Sequence, residues 1–496
     1  MGRGAVGRRS GGSPRRVEVA VAGSVPEVPA LLAALAEEPG AFLLESTWRP
    51  HRFSRWSFFG ARPRKVLCAR GREVCVNEGG RRRRFTANPF SALRATLAEE
   101  TGPVSGDEAR ALGIPFLGGA VGFLGYDLCH FVERLPRTAR ADVPLPDLYF
   151  AFYDALLALD HQEGVLYLVV SDRDPGAGSS AQFGGHFDWL KEVVRRAERL
   201  RPDPLAGGAV SSPDGWRSNF TRTGYLQAVA RAIDYIRAGD VFQVNLSQRF
   251  EGSLRVSPLD LYLRLREVNP APFAAYLAGE DWAVVGASPE RFLRVQRGRV
   301  ETCPIKGTRP RGGDPAADGE LRRQLLDSGK DAAELTMIVD LERNDLGRVC
   351  DYGSVRVREA RFLDVHPTVY HLVATVEGVL APGRGLVDLL RATFPGGSIT
   401  GAPKVRAMQI IDELEPTARN LYTGALGYIG CDGTTDLSIV IRTFLVAGEH
   451  FWFQVGGGIV ADSTPEAEYQ ETLDKGRGLV AALSARAVSA PGGWAS

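Results

Sequence analysis

The chain lacks an excess of charge of either sign. Its 496 residues carry 60 Lys and Arg against 59 Asp and Glu, a formal net charge of +1, so no global field draws nucleic acid or an anionic membrane towards it. It is poor in cysteine: Cys68, Cys75, Cys129, Cys303, Cys350 and Cys431 are scattered without CxxC spacing. That pattern argues against a zinc site or a disulfide framework and fits a reducing, cytoplasmic compartment. No apolar run approaches the roughly 18–20 residues of a membrane span. The Gly-, Arg- and Ser-rich start has no apolar segment from which a secretory signal could be made. No internal repeat is present.

A single core usually stops growing below this length, so two lobes or one large composite domain are expected. Residues 1–16 read as a disordered basic tail, 17–201 as an N-terminal region, 202–215 as a Pro/Gly/Ser-rich linker, 216–485 as a second region and 486–496 as a loose end. In the first region, strand-like runs at 66–68, 74–76 and 165–170 flank a Gly-rich segment at 118–126, whose glycines suit closely approaching backbones. Residues 172–184 read as a loop and 189–200 as a charged helix. In the second region Thr223 is the expected N-cap of a helix patterned by Tyr225, Val229, Ile233 and Ile236 and closed by Gly239; residues 241–250 read as a strand.

Several groups could carry chemistry. Lys306 follows a strand-like run, in a Pro/Gly-punctuated turn with Arg309 and Arg311 close behind. Neighbouring positive charge and burial would lower its pKa and make it a nucleophile or base; the alternative is a solvated turn lysine. Asp331 and Glu334 lie three apart at the head of a helix patterned by Leu335, Ile338 and Leu341, and Glu468 and Glu471 share that spacing with Lys475 one turn on. Two such acidic faces brought together would hold Mg²⁺; apart, they are solvated helix surfaces. The segment 394–404 leads into a helix with Val405, Met408, Ile411 and Leu414 on its apolar face. Its N-terminus could hold a phosphate or a carboxylate, or be a plain connection. It is not a P-loop, because Ala402 and Pro403 separate Gly401 from Lys404. The glycines 456–458 allow a backbone to approach a ligand. His371 reads as readily as a core histidine, and with His366 it has no third metal ligand nearby in sequence. Arg442 directly follows the apolar run Ile439-Val440-Ile441, and a guanidinium in such a strand needs an anionic partner.

Together these residues resemble the chorismate-utilising enzymes, the family of anthranilate synthase component I, aminodeoxychorismate synthase component I and the isochorismate and salicylate synthases. The matching segments are 239–245 (Gly-Asp-Val-Phe-Gln-Val-Asn), 287–292 (Ala-Ser-Pro-Glu-Arg-Phe), 337–345, 396–404 and 456–471, densest between 223 and 479. The resemblance implies an α+β fold: two antiparallel β-sheets packed as a sandwich, helices outside, and the active site in the cleft between the halves. It implies Mg²⁺ held by Glu334 and Glu471 with Glu468 and Asp331 in support. Tyr422, Arg442, Gly457, Gly458 and Lys475 would hold a substrate carboxylate, His371 and Ser398 would line the ring, and Glu290 would act as general acid.

Within the family the string Pro304-Ile305-Lys306-Gly307-Thr308 resembles aminodeoxychorismate synthase component I, where the lysine is the proposed nucleophile and anthranilate synthases usually carry alanine. Residues 397–401 point the same way. The reaction implied converts chorismate and ammonia to 4-amino-4-deoxychorismate, on the route to p-aminobenzoate and folate. No cysteine sits in a Gly-x-Cys-x-Gly turn, so a separate glutamine amidotransferase subunit is implied, with a downstream aminodeoxychorismate lyase. Against this, Glu45 and Ser46 with Pro272 and Phe273 look like the element that lines a tryptophan pocket in anthranilate synthases. Anthranilate synthase component I is therefore the second reading. A non-catalytic nucleotide- or nucleic-acid-binding protein is the third; it rests on the 396–404 loop and the basic N-terminus, and the neutral charge counts against it.

Overall fold

The computed structural model describes residues 15–105, 111–172, 179–203, 210, 215–367 and 369–484. Among them are two large sheets of thirteen and twelve strands, antiparallel apart from the short pairing of Arg15–Val21 with Val104–Ser105. The expected α+β sandwich is the fold. One apolar cluster, with Phe58, Phe123, Tyr149, Ala275 and Tyr428, draws on strands of both sheets and lies between them. Helices Val28–Leu35, Ser179–Ala197, Pro258–Val268 and Pro465–Leu483 cover the outer face of the first sheet. Helices Pro89–Glu100, Gly329–Gly347 and Leu386–Thr393 cover that of the second. Both faces of the central strands are thus dry, which is why they read as continuous apolar runs rather than alternating ones. In Val165–Asp172, Tyr167 and Val169 face the other sheet while Leu166, Leu168 and Val170 face the helices.

Each sheet is shared between the two halves of the chain. In the first, strands from Trp216–Ser218 to Phe273–Ala278 come from the second half, and Phe273–Ala278 pairs with Phe42–Glu45 of the first half. In the second, the junction is Ala425–Gly430 beside Gly119–Leu124. At that junction Gly122 faces Gly427. A Cβ on Gly122 would stand 1.9 Å from the Tyr149 carbonyl oxygen.

Local differences from expectation have local causes. The N-cap of helix Arg222–Arg237 is Thr221, not Thr223: its backbone is extended and its side chain accepts from the Gly224 N–H at 3.0 Å. Helix Ser179–Ala197 begins inside the segment read as a loop. Phe183, Leu190, Val194 and Ala197 recur on its buried face, and that tertiary packing overrides Gly184 and Gly185. Val405 is 39% exposed on helix Lys404–Leu414, and Ala407 and Ile410 join Met408 and Ile411 on the buried face. Arg15, assigned to the tail, is 2% exposed and bonds the Glu100 carboxylate at 2.8 Å, which anchors the first strand. The rest of the tail (1–14), most of the linker and residues 485–496 lie outside the described residues. Among those described, no helix is long and apolar enough to cross a membrane.

Gly122→Ala is expected to destabilise the protein by about 3 kcal/mol or more, because the obstructing atoms are backbone and cannot rotate away. A urea midpoint equal to wild type would show that the junction tolerates separation.

Candidate active site

Two strand-to-strand crossings define the cleft. The chain passes from the first sheet to the second between Trp282–Ser288 and Arg291–Gln296, and returns between Thr435–Ile439 and Thr443–Ala447. The crossings are bonded to each other: Ser288 Oγ donates to the Ile439 carbonyl at 2.6 Å, and the N–H groups of Ile439 and Ala287 donate to the carbonyls of Glu290 and Arg442 at 3.0 Å. Glu290 sits on one crossing and Arg442 on the other. Arg442 was expected within a strand; it lies instead in the break, at φ +53°. Its guanidinium has no hydrogen-bond or ion-pair partner among the described residues, and burial lowers its pKa.

Beside the crossings runs a strip of backbone without side chains. Gly457 and Gly458 lie in strand His450–Ile459, paired with Leu246 and Asn245 of Gln243–Ser253. A Cβ on Gly457 would stand 3.0 Å from Glu468 Oε2 and 3.2 Å from Glu471 Oε1; one on Gly458 would stand 2.8 Å from Gln243 Nε2 and 3.1 Å from Lys306 Nζ. The strip therefore lets two carboxylates and an amine crowd one space. Helix Pro465–Leu483 supplies Glu468, Glu471 and Lys475, the last bonded to Glu471 at 2.6 Å and to the Gly456 carbonyl at 3.0 Å. Glu334 comes from helix Gly329–Gly347. Burial raises Glu334 and Glu468, whereas Lys475 pulls Glu471 down. Glu471 is 48% exposed to the cleft. Glu468 is buried; its Oε1 accepts from Ser463 Oγ at 2.5 Å and its Oε2 has no partner among the described residues. An all-oxygen donor set with one orphaned buried oxygen, over a cradle that a Cβ would fill, fits a hard divalent cation such as Mg²⁺. Asp331, one turn before Glu334, bonds Arg309 at 2.9 Å.

Lys306 lies in strand Ile305–Pro310 rather than in a turn, next to a bulge where Gly307 takes φ +78°. The two arginines expected to depress its pKa point elsewhere, Arg309 to Asp331 and Arg311 to Asp318. Burial lowers the amine, Glu334 opposes, and Lys475 adds to the lowering. Glu290 is 5% exposed; burial pushes its carboxyl up to about 7 against the Ser398 hydroxyl, which donates to it at 2.5 Å, the Lys306 charge and the Ile305 N–H.

The loop that carries Ser398 is stitched to strand Gln243–Ser253, with the N–H groups of Phe242 and Asn245 donating to the carbonyls of Ala402 and Thr400. Lys404, beyond it, turns away to Asp345. His371 is buried and held near pKa 3 by desolvation, with Nδ1 2.9 Å from Thr308 Oγ1. Tyr422 is buried, and burial raises its hydroxyl. His366 has neighbours the sequence did not reveal: Asp364 bridges it at 3.0 Å to His51 at 2.9 Å. Gln243 was also missed as a site group. Its buried amide has no partner among the described residues and faces Gly458, and its place in the 239–245 segment was the available signal.

Glu45, Ser46, Pro272 and Phe273 do come together, because strands Phe42–Glu45 and Phe273–Ala278 pair. Glu45 is already engaged, by Tyr262 Oη at 2.6 Å and Arg266 Nε at 2.9 Å. Ser46 Oγ donates to the Trp48 carbonyl, Pro272 is buried, and the Phe273 ring lies 5.4 Å from Phe53.

The family model described as chorismate binding enzyme matches residues 54–481. The chain is 42% identical to anthranilate synthase component 1 of Thermus thermophilus, over 92% of this chain and 95% of the relative. It is 41% identical to aminodeoxychorismate synthase component 1 of Escherichia coli K12, over 89% and 92%. Among solved structures it is similar to anthranilate synthase component I from Streptococcus pneumoniae, with a TM-score of 0.74, 31% identity, and 85% and 91% of the two chains covered. The menaquinone-specific isochorismate synthase of Escherichia coli shares the fold at a TM-score of 0.70 and 17% identity, over 96% of each chain.

The raised Glu290 carboxyl carries a stability cost. Its stabilising contribution is complete below the ordinary carboxyl value of 4.5 and is lost as pH rises towards about 7, because the unfolded chain gives up the proton first. Glu290→Gln should therefore be more stable than wild type at pH 8, by on the order of 2 kcal/mol, with the difference shrinking at pH 5. Denaturant melts at the two pH values check this; a pH-independent difference would contradict it.

Proposed function

This chain belongs to the chorismate-binding enzymes, and we propose that it is the component I of an aminodeoxychorismate synthase, which aminates C4 of chorismate. Overall similarity favours neither this activity nor anthranilate synthesis. The reading rests on one observation: the Lys306 amine stands over Gly458, lowered by burial, with Glu290 and Ser398 at hand.

Arg442, Tyr422 and the backbone at Gly458 hold the enolpyruvyl carboxylate, with Lys475 nearby, and the unpartnered Gln243 amide and His371 line the ring. Glu334 and Glu471, supported by Glu468 and more remotely by Asp331, would hold Mg²⁺, which when bound would neutralise the ring carboxylate and draw electron density towards it. Glu290, protonated near neutral pH, delivers its proton to the departing C4 hydroxyl, which leaves as water. The Lys306 amine forms a bond to C2 as the C4–O bond breaks. Ammonia then bonds to C4 and the C2–N bond to Lys306 breaks, which returns the lysine. A glutamine amidotransferase supplies the ammonia in the cytoplasm, and a lyase consumes the product. The residues given roles here all lie in region 216–485, and region 17–201 completes both sheets beside them.

A second reading, anthranilate synthase component I, is favoured by the assembled Glu45, Ser46, Pro272 and Phe273 element; product analysis separates the two. With chorismate, Mg²⁺ and ammonium, wild type should release 4-amino-4-deoxychorismate, which becomes p-aminobenzoate only when a lyase is added. Lys306→Ala should lose at least about a hundredfold in that product. Anthranilate as the main wild-type product would overturn the assignment, and an undiminished Ala variant would remove the nucleophile.

Glu471→Gln removes a proposed Mg²⁺ ligand and frees Lys475. Its activity should fall steeply at limiting Mg²⁺ and recover in part at high Mg²⁺, with an unchanged melting temperature in the apo protein. Full activity at limiting Mg²⁺ would exclude the ligand role.

A further inference from the structure

Between the helical turn Tyr126–Phe131 and helix Lys404–Leu414 lies a cavity of about 230 Å³. None of the residues given a catalytic, substrate or metal role above lines it. Arg419 forms one wall, with its guanidinium 4.9 Å from the Tyr126 ring and 5.7 Å from that of Tyr422.

The cavity contains polar atoms with nothing to bond. Tyr126 and Asn420 are 5% and 7% exposed, and Tyr126 Oη and Asn420 Oδ1 are buried without a hydrogen-bond partner among the described residues. His130 Nδ1 is in the same condition. Such orphans are rare in folded proteins and each costs free energy until a ligand or water meets it. Between Tyr126 and Asn420 lies Asp127, whose Oδ2 accepts only the Asn420 N–H at 3.1 Å and which forms no ion pair among the described residues. Burial and the nearby Asp147 raise its carboxyl to about 7. Arg419 does not hydrogen-bond it, because its Nε and Nη2 are committed to Glu415 at 2.9 and 2.7 Å and its Nη1 to the Ile399 carbonyl at 3.1 Å. The interior thus offers an acceptor amide, a hydroxyl and a carboxyl, and the guanidinium in its wall, Arg419, is already paired with Glu415. The rest of the lining carries charge of both signs, with Asp142, Asp147 and Asp412 beside the arginines. Arg70 and Arg137 are exposed there, and neither has an ion-pair partner among the described residues. Met408, Ile411 and Leu135 supply apolar wall between the two ends.

We propose that this cavity binds a small zwitterion with an apolar body, its primary ammonium group on Tyr126, Asp127 and Asn420 and its carboxylate at Arg70 and Arg137. A primary ammonium has three donors and a charge, which matches the three interior groups. Because Arg419 also donates to the Ile399 carbonyl at 3.1 Å, beside Ser398, an occupant would bear on the catalytic loop. The proposal concerns binding alone and stands whichever product the enzyme makes.

The test is calorimetric titration of the full chain with 4-aminobutanoate, 5-aminopentanoate and 6-aminohexanoate, with pentanoate and pentylammonium as controls. At least one amino acid should saturate at one site and bind at least about tenfold more tightly than either control. Tyr126→Phe should weaken it about tenfold without lowering the melting temperature, because the hydroxyl has no internal partner to lose. Arg137→Ala should weaken it by a similar factor. The proposal is overturned if none of the three amino acids binds in the millimolar range, if a control binds as well, or if Tyr126→Phe binds undiminished, since that would put the ligand elsewhere.

Discussion

The site depends on two missing side chains. Gly457 and Gly458 leave room that Glu468 and Glu471 fill from one helix and Lys306 from a strand, and a methyl group on either glycine would stand about 3 Å from their polar atoms. Crowding of this kind sets up an imbalance. Glu334, Glu468 and Glu471 face Lys475 and a Lys306 amine whose charge burial disfavours. A divalent cation bound among these carboxylates would offset their mutual repulsion.

The same burial that raises Glu334 and Glu468 acts on Glu290 and Lys306. Glu290 and Lys306 carry opposite charges when ionised, and desolvation opposes both: it raises the acid to about 7 and lowers the amine. One physical cause yields a proton donor and a free amine side by side. Their mutual attraction and the Ser398 hydroxyl limit the effect, which keeps Glu290 near neutrality instead of far above it. The Ser398 loop can do this because its carbonyls are bonded into strand Gln243–Ser253, a central part of the first sheet.

Much of this was legible in the chain itself. Charge spacing located both acidic helix faces, and residues 456–458 and 396–404 marked the close backbone approaches. The class of the fold came from the family resemblance, because strands buried on both faces carry no period that reveals their partners. What the chain could not reveal was direction. Arg309 and Arg311 lie close to Lys306 in sequence, yet on an extended strand their side chains reach Asp331 and Asp318. Lys404, beside the helix N-terminus read as an anion site, is bound to Asp345. His366, read as having no further metal ligand nearby in sequence, lies beside Asp364 and, through it, His51 from the other half of the chain. Long-range pairings of this kind depend on sheet order, which no local pattern encodes.

Sheet order also explains why Glu290 and Arg442 come to neighbouring positions. Glu290 and Arg442 are about 150 residues apart in the chain, but each occupies a point where the chain leaves one sheet for the other. A crossing interrupts the ladder, so its backbone groups need new partners, and here the two crossings satisfy each other through Ile439, Glu290, Ala287 and Arg442. That mutual bonding fixes the two side chains relative to one another with main-chain rigidity. Arg442 at positive φ is a conformation a non-glycine residue rarely adopts, and its cost is tolerated because the break is what turns the guanidinium into the cleft instead of into a sheet face. The active site is thus a consequence of topology: in a sandwich whose sheets exchange strands, the exchange points are where polar side chains can be held rigidly and still reach solvent.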